Sequence, residues 1–228
     1  MRRFLAIVLA LAWLFVSDVA AAQSSKVTAK TAAINLIPRT TGQGAWQTIL
    51  SNSIKVPNNK DLFVTVSLEA GLFTQTLVSS KSGTKDTSSA QAAVHIRVLL
   101  DGSRVVEPGE VVFGSRTQTL SATLEGMIAN CLFIVTNPDG TQSILLDPAC
   151  VTPETIELIL DTMQATSFSF VAVDVPVGVH SVSVQARVDT TAGMQTGTAS
   201  AMATVGKGSL VVESVRLVKD PNVILEVP

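Results

Sequence analysis

Few residues in this chain have the type and spacing to do chemistry. Its 228 residues include two histidines, His95 and His180, and two cysteines, Cys131 and Cys150. A zinc centre needs three or four converging N, S or O ligands, and neither an HExxH pair nor CxxC spacing occurs. His95 falls on the polar parity of an alternating stretch and His180 follows a turn, so both read as structural. Ser-His-Asp hydrolysis has its residue types but lacks the GxSxG elbow. The run Gly206, Lys207, Gly208, Ser209 lacks phosphate-loop spacing and a following helix, and reads as a hairpin turn.

Paired carboxylates and cation ligands meet similar objections. Glu107 and Glu110 bracket a Pro108–Gly109 turn, while Glu154 and Glu157 fall in the first turns of an expected helix, where negative charge is favourable. Asp139 and Asp147 are the candidate calcium ligands, but an EF-hand register would put Val135 first and Leu146 twelfth, where neither can ligate. Trp46 is the candidate glycan platform, because sugar rings stack on broad aromatic faces. Its parity, shared with Leu50, Ile54 and Val56, favours instead a core or edge tryptophan that covers one end of the sandwich.

Charge and export narrow the field. Arg2 and Arg3, an apolar run over residues 4–16 and small residues Ala20, Ala21 and Ala22 read as a signal peptide cleaved before Gln23. The apolar run falls short of the ~20 residues that span a bilayer, so no membrane span is expected after cleavage. Removing residues 1–22 takes Arg2, Arg3 and Asp18 and leaves 14 basic against 17 acidic residues. That mild acidity, without a basic patch, excludes a nucleic-acid partner. An exported chain with an even cysteine count reads as carrying one disulfide, Cys131 to Cys150, in a secreted, periplasmic or cell-surface protein.

The elements that must position these residues are mostly strands. Period-two alternation recurs at 46–56, 62–68, 92–100, 131–136, 142–146, 182–188 and 210–219, with Asn137, Pro138, Asp139 and Gly140 as a hairpin turn. Residues 79–91, without a large apolar side chain, are expected to form a loop outside the core, as are residues 190–197. One helix is expected over 152–165: Thr152 caps it, Pro153 opens it, and Ile156, Ile159, Leu160 and Met163 recur at helical spacing. About ten short strands and one amphipathic helix fit a mostly β chain, a two-sheet antiparallel, jelly-roll-like sandwich forming a single domain over 23–228.

The segments ILSNSIKVPNNKDLFVTVSLEAGLFTQTLV, VLLDG, RTQTLSATLEG, IELILDTM and GVHSVSVQARVDT resemble a family of uncharacterised secreted proteins with no assigned activity. The resemblance spans most of the exported chain and implies export and one shared architecture, without functional residues. The leading expectation is a non-enzymatic protein that binds or self-associates, a homo-oligomer being the favoured assembly. The alternatives are a glycan- or calcium-binding module acting on a surface glycan or cation, and a hydrolase of dispersed Ser, Asp, Glu and His without a cofactor.

Overall fold

The computed structural model describes residues 27–32 and 42–217. The expected signal peptide at 1–22, and the end of the last expected strand at Lys219, lie outside the described residues. Twelve strands are present: β1 (Val27–Ala32), β2 (Gly42–Gln43), β3 (Gln47–Val56), β4 (Lys60–Ser80), β5 (Lys85–Leu100), β6 (Arg104–Val105), β7 (Val111–Thr123), β8 (Leu132–Thr136), β9 (Gln142–Leu146), β10 (Glu154–Val175), β11 (Gly178–Met194) and β12 (Thr198–Val215). The described chain is all-β, and every paired strand runs antiparallel.

One sheet has the order β1-β12-β4-β10. In the other, β11 pairs with β2 and β3 on one side and β5 on the other, and β5 carries β6 and β7 on its far side. Alternate residues of both sheets meet in a single buried cluster: Leu62, Val64 and Val66 of β4, Val94, Ile96 and Val98 of β5, and Val182 and Val184 of β11. These β-branched and aliphatic side chains suit a pleated surface buried on one face. β8 and β9 form a separate two-stranded sheet.

The expected helix at 152–165 is a strand. The same residues form the first half of β10, which pairs with β4 from Glu154↔Ser80 to Val175↔Lys60. Ile156, Leu158 and Leu160 also recur at period two, and a ladder against a long neighbour satisfies backbone groups that an isolated helix would have to pair locally. Tertiary pairing here overrides a local helical pattern.

The expected loops at 79–91 and 190–197 are likewise mostly strand. β4 reaches Ser80 and β5 begins at Lys85, with Asp86, Ser88 and Ala90 buried. Small side chains there let the strands approach closely. Asp86 also accepts hydrogen bonds from the backbone N–H of Thr87 at 2.8 Å and of Thr196 at 3.1 Å, and from the Thr196 hydroxyl. The Thr196 hydroxyl foremost, and these amides with it, hold the Asp86 carboxyl below the usual carboxylate range.

Gly206–Gly208 is not a hairpin turn but a bulge inside continuous β12, marked by the register shift between Val205 and Gly208 against β4. A Cβ at Gly208 would lie 2.9 Å from the Ser67 carbonyl oxygen of β4, a backbone atom that cannot swing aside, so the close approach of β4 favours glycine there.

Candidate functional site

Trp46 shows how one extra residue redirects a side chain. β3 pairs Leu50 with Val184 but Thr48 with Gln185, so Ile49 is the extra residue of a bulge. Leu50, Ile54 and Val56 point into the core, whereas Thr48 and Trp46 turn to the opposite, outer face of the sheet. The shared parity read from the sequence is therefore broken at the bulge. Trp46 lies half-buried against two guanidiniums, with Arg97 Cζ 4.3 Å and Arg187 Cζ 4.8 Å from a ring centroid.

Those arginines belong to a charged cluster on the outer face of β5 and β11. The register sets Arg187 opposite His95 and Gln185 opposite Arg97, and Arg97 Nε donates to Gln185 Oε1 at 2.9 Å. Arg187 Nη2 reaches Glu110 Oε1 at 2.7 Å and Asp189 Oδ2 at 3.1 Å. His95 stands between the same two carboxylates, with Nδ1 2.8 Å from Glu110 Oε1 and Nε2 3.3 Å from Asp189 Oδ2. The Nδ1 contact has ion-pair distance without hydrogen-bond alignment, and Arg187 Nε is buried without a hydrogen-bond partner. Glu110, expected as a solvated turn residue, is thus half of an ion-pair network. A cavity of about 290 Å3 opens beside it, lined by Gln43, Gln91, His95, Asp189, Thr190 and Thr191 among others.

His180 serves a different site, seven residues and so roughly 23 Å along β11 from the position opposite His95. Its Nδ1 lies 2.8 Å from Asp101 Oδ2 and its Nε2 2.9 Å from the carbonyl of Pro176. Both partners accept, so the doubly protonated ring satisfies both at once. The Asp101 hydrogen bond raises the His180 pKa above its ordinary value, against the opposing effect of burial and with help from Pro176. Partial burial opposes ionisation of Asp101, but the bonds from His180 and the Ser181 amide prevail and lower its pKa. Both ring nitrogens of His180 are held, by Asp101 and by the Pro176 carbonyl.

Asp139 and Asp147 stand at opposite ends of the β8–β9 hairpin. Asp139 Oδ1 accepts from the Thr141 hydroxyl at 2.6 Å and the Thr141 amide at 3.0 Å, and chiefly the hydroxyl holds its pKa low. Asp147 Oδ1 accepts from Ala149 N at 2.9 Å. Each carboxylate closes its own turn, and the two do not converge. Among the described residues no group of three or more His, Cys, Asp or Glu side chains could hold a metal ion.

The hairpin itself is the feature least explained by structure alone. Cys131 and Cys150 are bonded at its base, where the Asp147 amide donates to the Cys131 carbonyl and a turn at 147–150 brings Cys150 back. The Met127↔Thr152 bridge ties that base to the start of β10. Cross-strand pairs Leu132↔Leu146 and Ile134↔Ile144 place four aliphatic side chains on one face, and Phe133↔Leu145 lies on the other. All six are exposed, Ile134 at 65% and Ile144 at 70%. Two strands alone are marginal in water, and an apolar face normally finds a covering layer. The exposed apolar character continues along β10 at Ile156, Leu158, Ile159, Leu160 and Met163.

The exposed arm was legible in part: both strands and the cysteine pair read directly from sequence, but not their isolation from the core. The His95–Arg187 network was missed, and its signal was the charged pair Arg187 and Asp189 on the outward parity of β11. The chain matches no protein-family model and no curated protein.

Proposed function

We propose that this is an exported two-sheet β-sandwich protein that works by binding or self-association rather than by catalysis, with the β8–β9 arm as its docking surface. The observation that carries this reading is an apolar hairpin, exposed on both faces and stapled at its base by a disulfide. On exposure fractions, the four aliphatic side chains of one face present on the order of 450 Å2, the size of the largest apolar patch on a typical monomer, which is often functional. Ordering an arm that contributes nothing to the core has a cost in conformational entropy, which a partner's contacts would offset. The disulfide supports an oxidising, extracytoplasmic destination, and among the described residues no helix is long and apolar enough to cross a membrane.

The test is photo-crosslinking in producing cells, with a benzophenone amino acid at Ile134 and, as a control, at Val179, an exposed apolar position of β11. Adducts to protein from position 134 but not 179 support the reading. Their absence from both positions removes it.

A second reading, glycan binding, rests on the cavity beside His95. Its amides, carboxylate, imidazole and hydroxyls are the groups that orient sugar hydroxyls. A thermal-shift series with neutral and acidic saccharides should show stabilisation lost on Gln91→Ala, and a flat series would eliminate it.

A further inference from the structure

The exposed arm calls for an occupant, and its chemistry narrows the choice. From Met127 to Val151 the charged residues are Asp139 and Asp147, one at the tip and one at the base. The face made by Leu132, Ile134, Ile144 and Leu146 therefore carries no charge, and beyond it lie the uncharged Thr136 and Gln142. Foreign partners are commonly selected by charge complementarity at such a surface, and this face has none to offer. A lipid bilayer fits no better. The arm would enter tip first with Asn137, Pro138, Asp139 and Gly140, and it has no Lys or Arg to hold anionic headgroups.

An uncharged aliphatic face is, by contrast, complementary to itself. The pairs Leu132↔Leu146 and Ile134↔Ile144 form a two-by-two patch that a twofold axis can lay on its own copy, as an isologous interface demands. With 14 basic against 17 acidic residues after residues 1–22 are removed, the net charge of −3 opposes such contact only weakly. Area also bears on the choice. The aliphatic patch alone, on the order of 450 Å2, falls short of the ~800 Å2 per partner of a standard interface. A groove of about 360 Å3 lined by Leu124, Met127, Pro153, Glu154, Thr155 and Ile156 joins the arm's base to the exposed side chains of β10, with Glu154 as its one charged group. With Ile156, Leu158 and Leu160, which share one face of β10, the surface reaches on the order of 700 Å2, within the roughly 600–1,000 Å2 per partner that standard interfaces bury.

We infer that a second copy of this chain covers the arm, with the Leu132, Ile134, Ile144 and Leu146 face of one arm stacked on the same face of its partner and the adjoining part of β10 completing the contact. This inference rests on the docking role proposed above. Stacked in this way, two hairpins form a small two-layer sheet with the interior that each lacks alone.

Sedimentation velocity on the purified exported protein tests it. Wild type should sediment as a dimer that dissociates on dilution. Ile134→Lys with Ile144→Lys should give a monomer at every concentration, because it places like charges in the dry contact. Both positions lie outside the core, so the thermal unfolding of the body should not change. Val179→Lys, an equally drastic change elsewhere on the surface, should remain dimeric. The crosslink from Ile134 should have twice the mass of the chain. A wild-type monomer up to high micromolar concentration, with a crosslinked adduct of another mass, overturns the second copy and leaves the docking role standing. A monomer with no adduct at all overturns both.

Discussion

β4 and the β8–β9 arm follow the same alternation to opposite ends. In β4, Leu62, Val64 and Val66 are fully buried because the β11–β5 sheet lies over them. In the arm, Leu132, Ile134, Ile144 and Leu146 alternate just as cleanly, yet no second layer of the described chain covers them. Period-two apolar residues announce that a strand needs a covering layer. They do not say whether the same chain supplies it, and in this protein the two regions give different answers.

The comparison is most sharply tested by truncating one side chain in each region. Phe170 of β10, fully buried and paired with Val64 of β4, should cost about 3–5 kcal/mol on Phe170→Ala. Ile144→Ala should stay within about 0.5 kcal/mol when unfolding is followed by urea titration of dilute monomer. Equal costs would mean that the arm is an integral part of the body and would dissolve the contrast.

Removal of the staple comes next. In the chain-entropy model a loop of this length is worth about 3 kcal/mol, and Cys131→Ser with Cys150→Ser should lose it locally. Hydrogen exchange should quicken at the amides of β8 and β9 while those of β4 and β11 keep their protection. A uniform loss across both would show that the arm and body unfold together.

A smaller effect is expected where the body's outer face is charged rather than apolar. Arg187→Met should cost about 1–3 kcal/mol by leaving Glu110 and Asp189 without their cation, less than for a wholly buried pair because Glu110 is 40% exposed. Trp46 would lose one of its two stacked guanidiniums, so its fluorescence should shift along with the stability.

The smallest change is with pH. His180 has a folded pKa above 6.5, so its contribution is complete below 6.5 and is lost as pH rises through the folded value. Asp101 has a folded pKa below 3.8, so its share is present above 3.8 and is lost as pH falls through the folded value. The melting temperature should therefore decline slightly from mildly acid to mildly alkaline pH. His180→Gln should remove that decline, and a slope that persists in the variant would assign it to another group.

Local readings succeeded where the chain pairs with itself over a few residues. β9 was legible to the residue and β8 to within one, because Asn137, Pro138, Asp139 and Gly140 set the turn and the alternation on each side is short. The cysteine pair followed from an even cysteine count in a chain expected to be exported, while its closure needed the turn at 147–150. β10 was not legible, since Thr152, Pro153 and Ile156 satisfy the rules for a helix start and only the ladder with β4 outweighs them. Trp46 failed for a related reason: the bulge at Ile49 exists only because β3 must fit β11, and it reverses the parity of all that precedes it.

By itself, then, the sequence determined that this chain is built of alternating strands and that the hairpin between residues 132 and 146 closes locally. These are consequences of side-chain periodicity and turn chemistry, which act over a few residues. Tertiary structure decided which apolar faces are covered, turned an apparent helix into the edge of a sheet and gathered His95, Glu110, Arg187 and Asp189 from three separate segments. Such outcomes depend on contacts between residues tens of positions apart, and no local pattern can encode which surface will lie opposite.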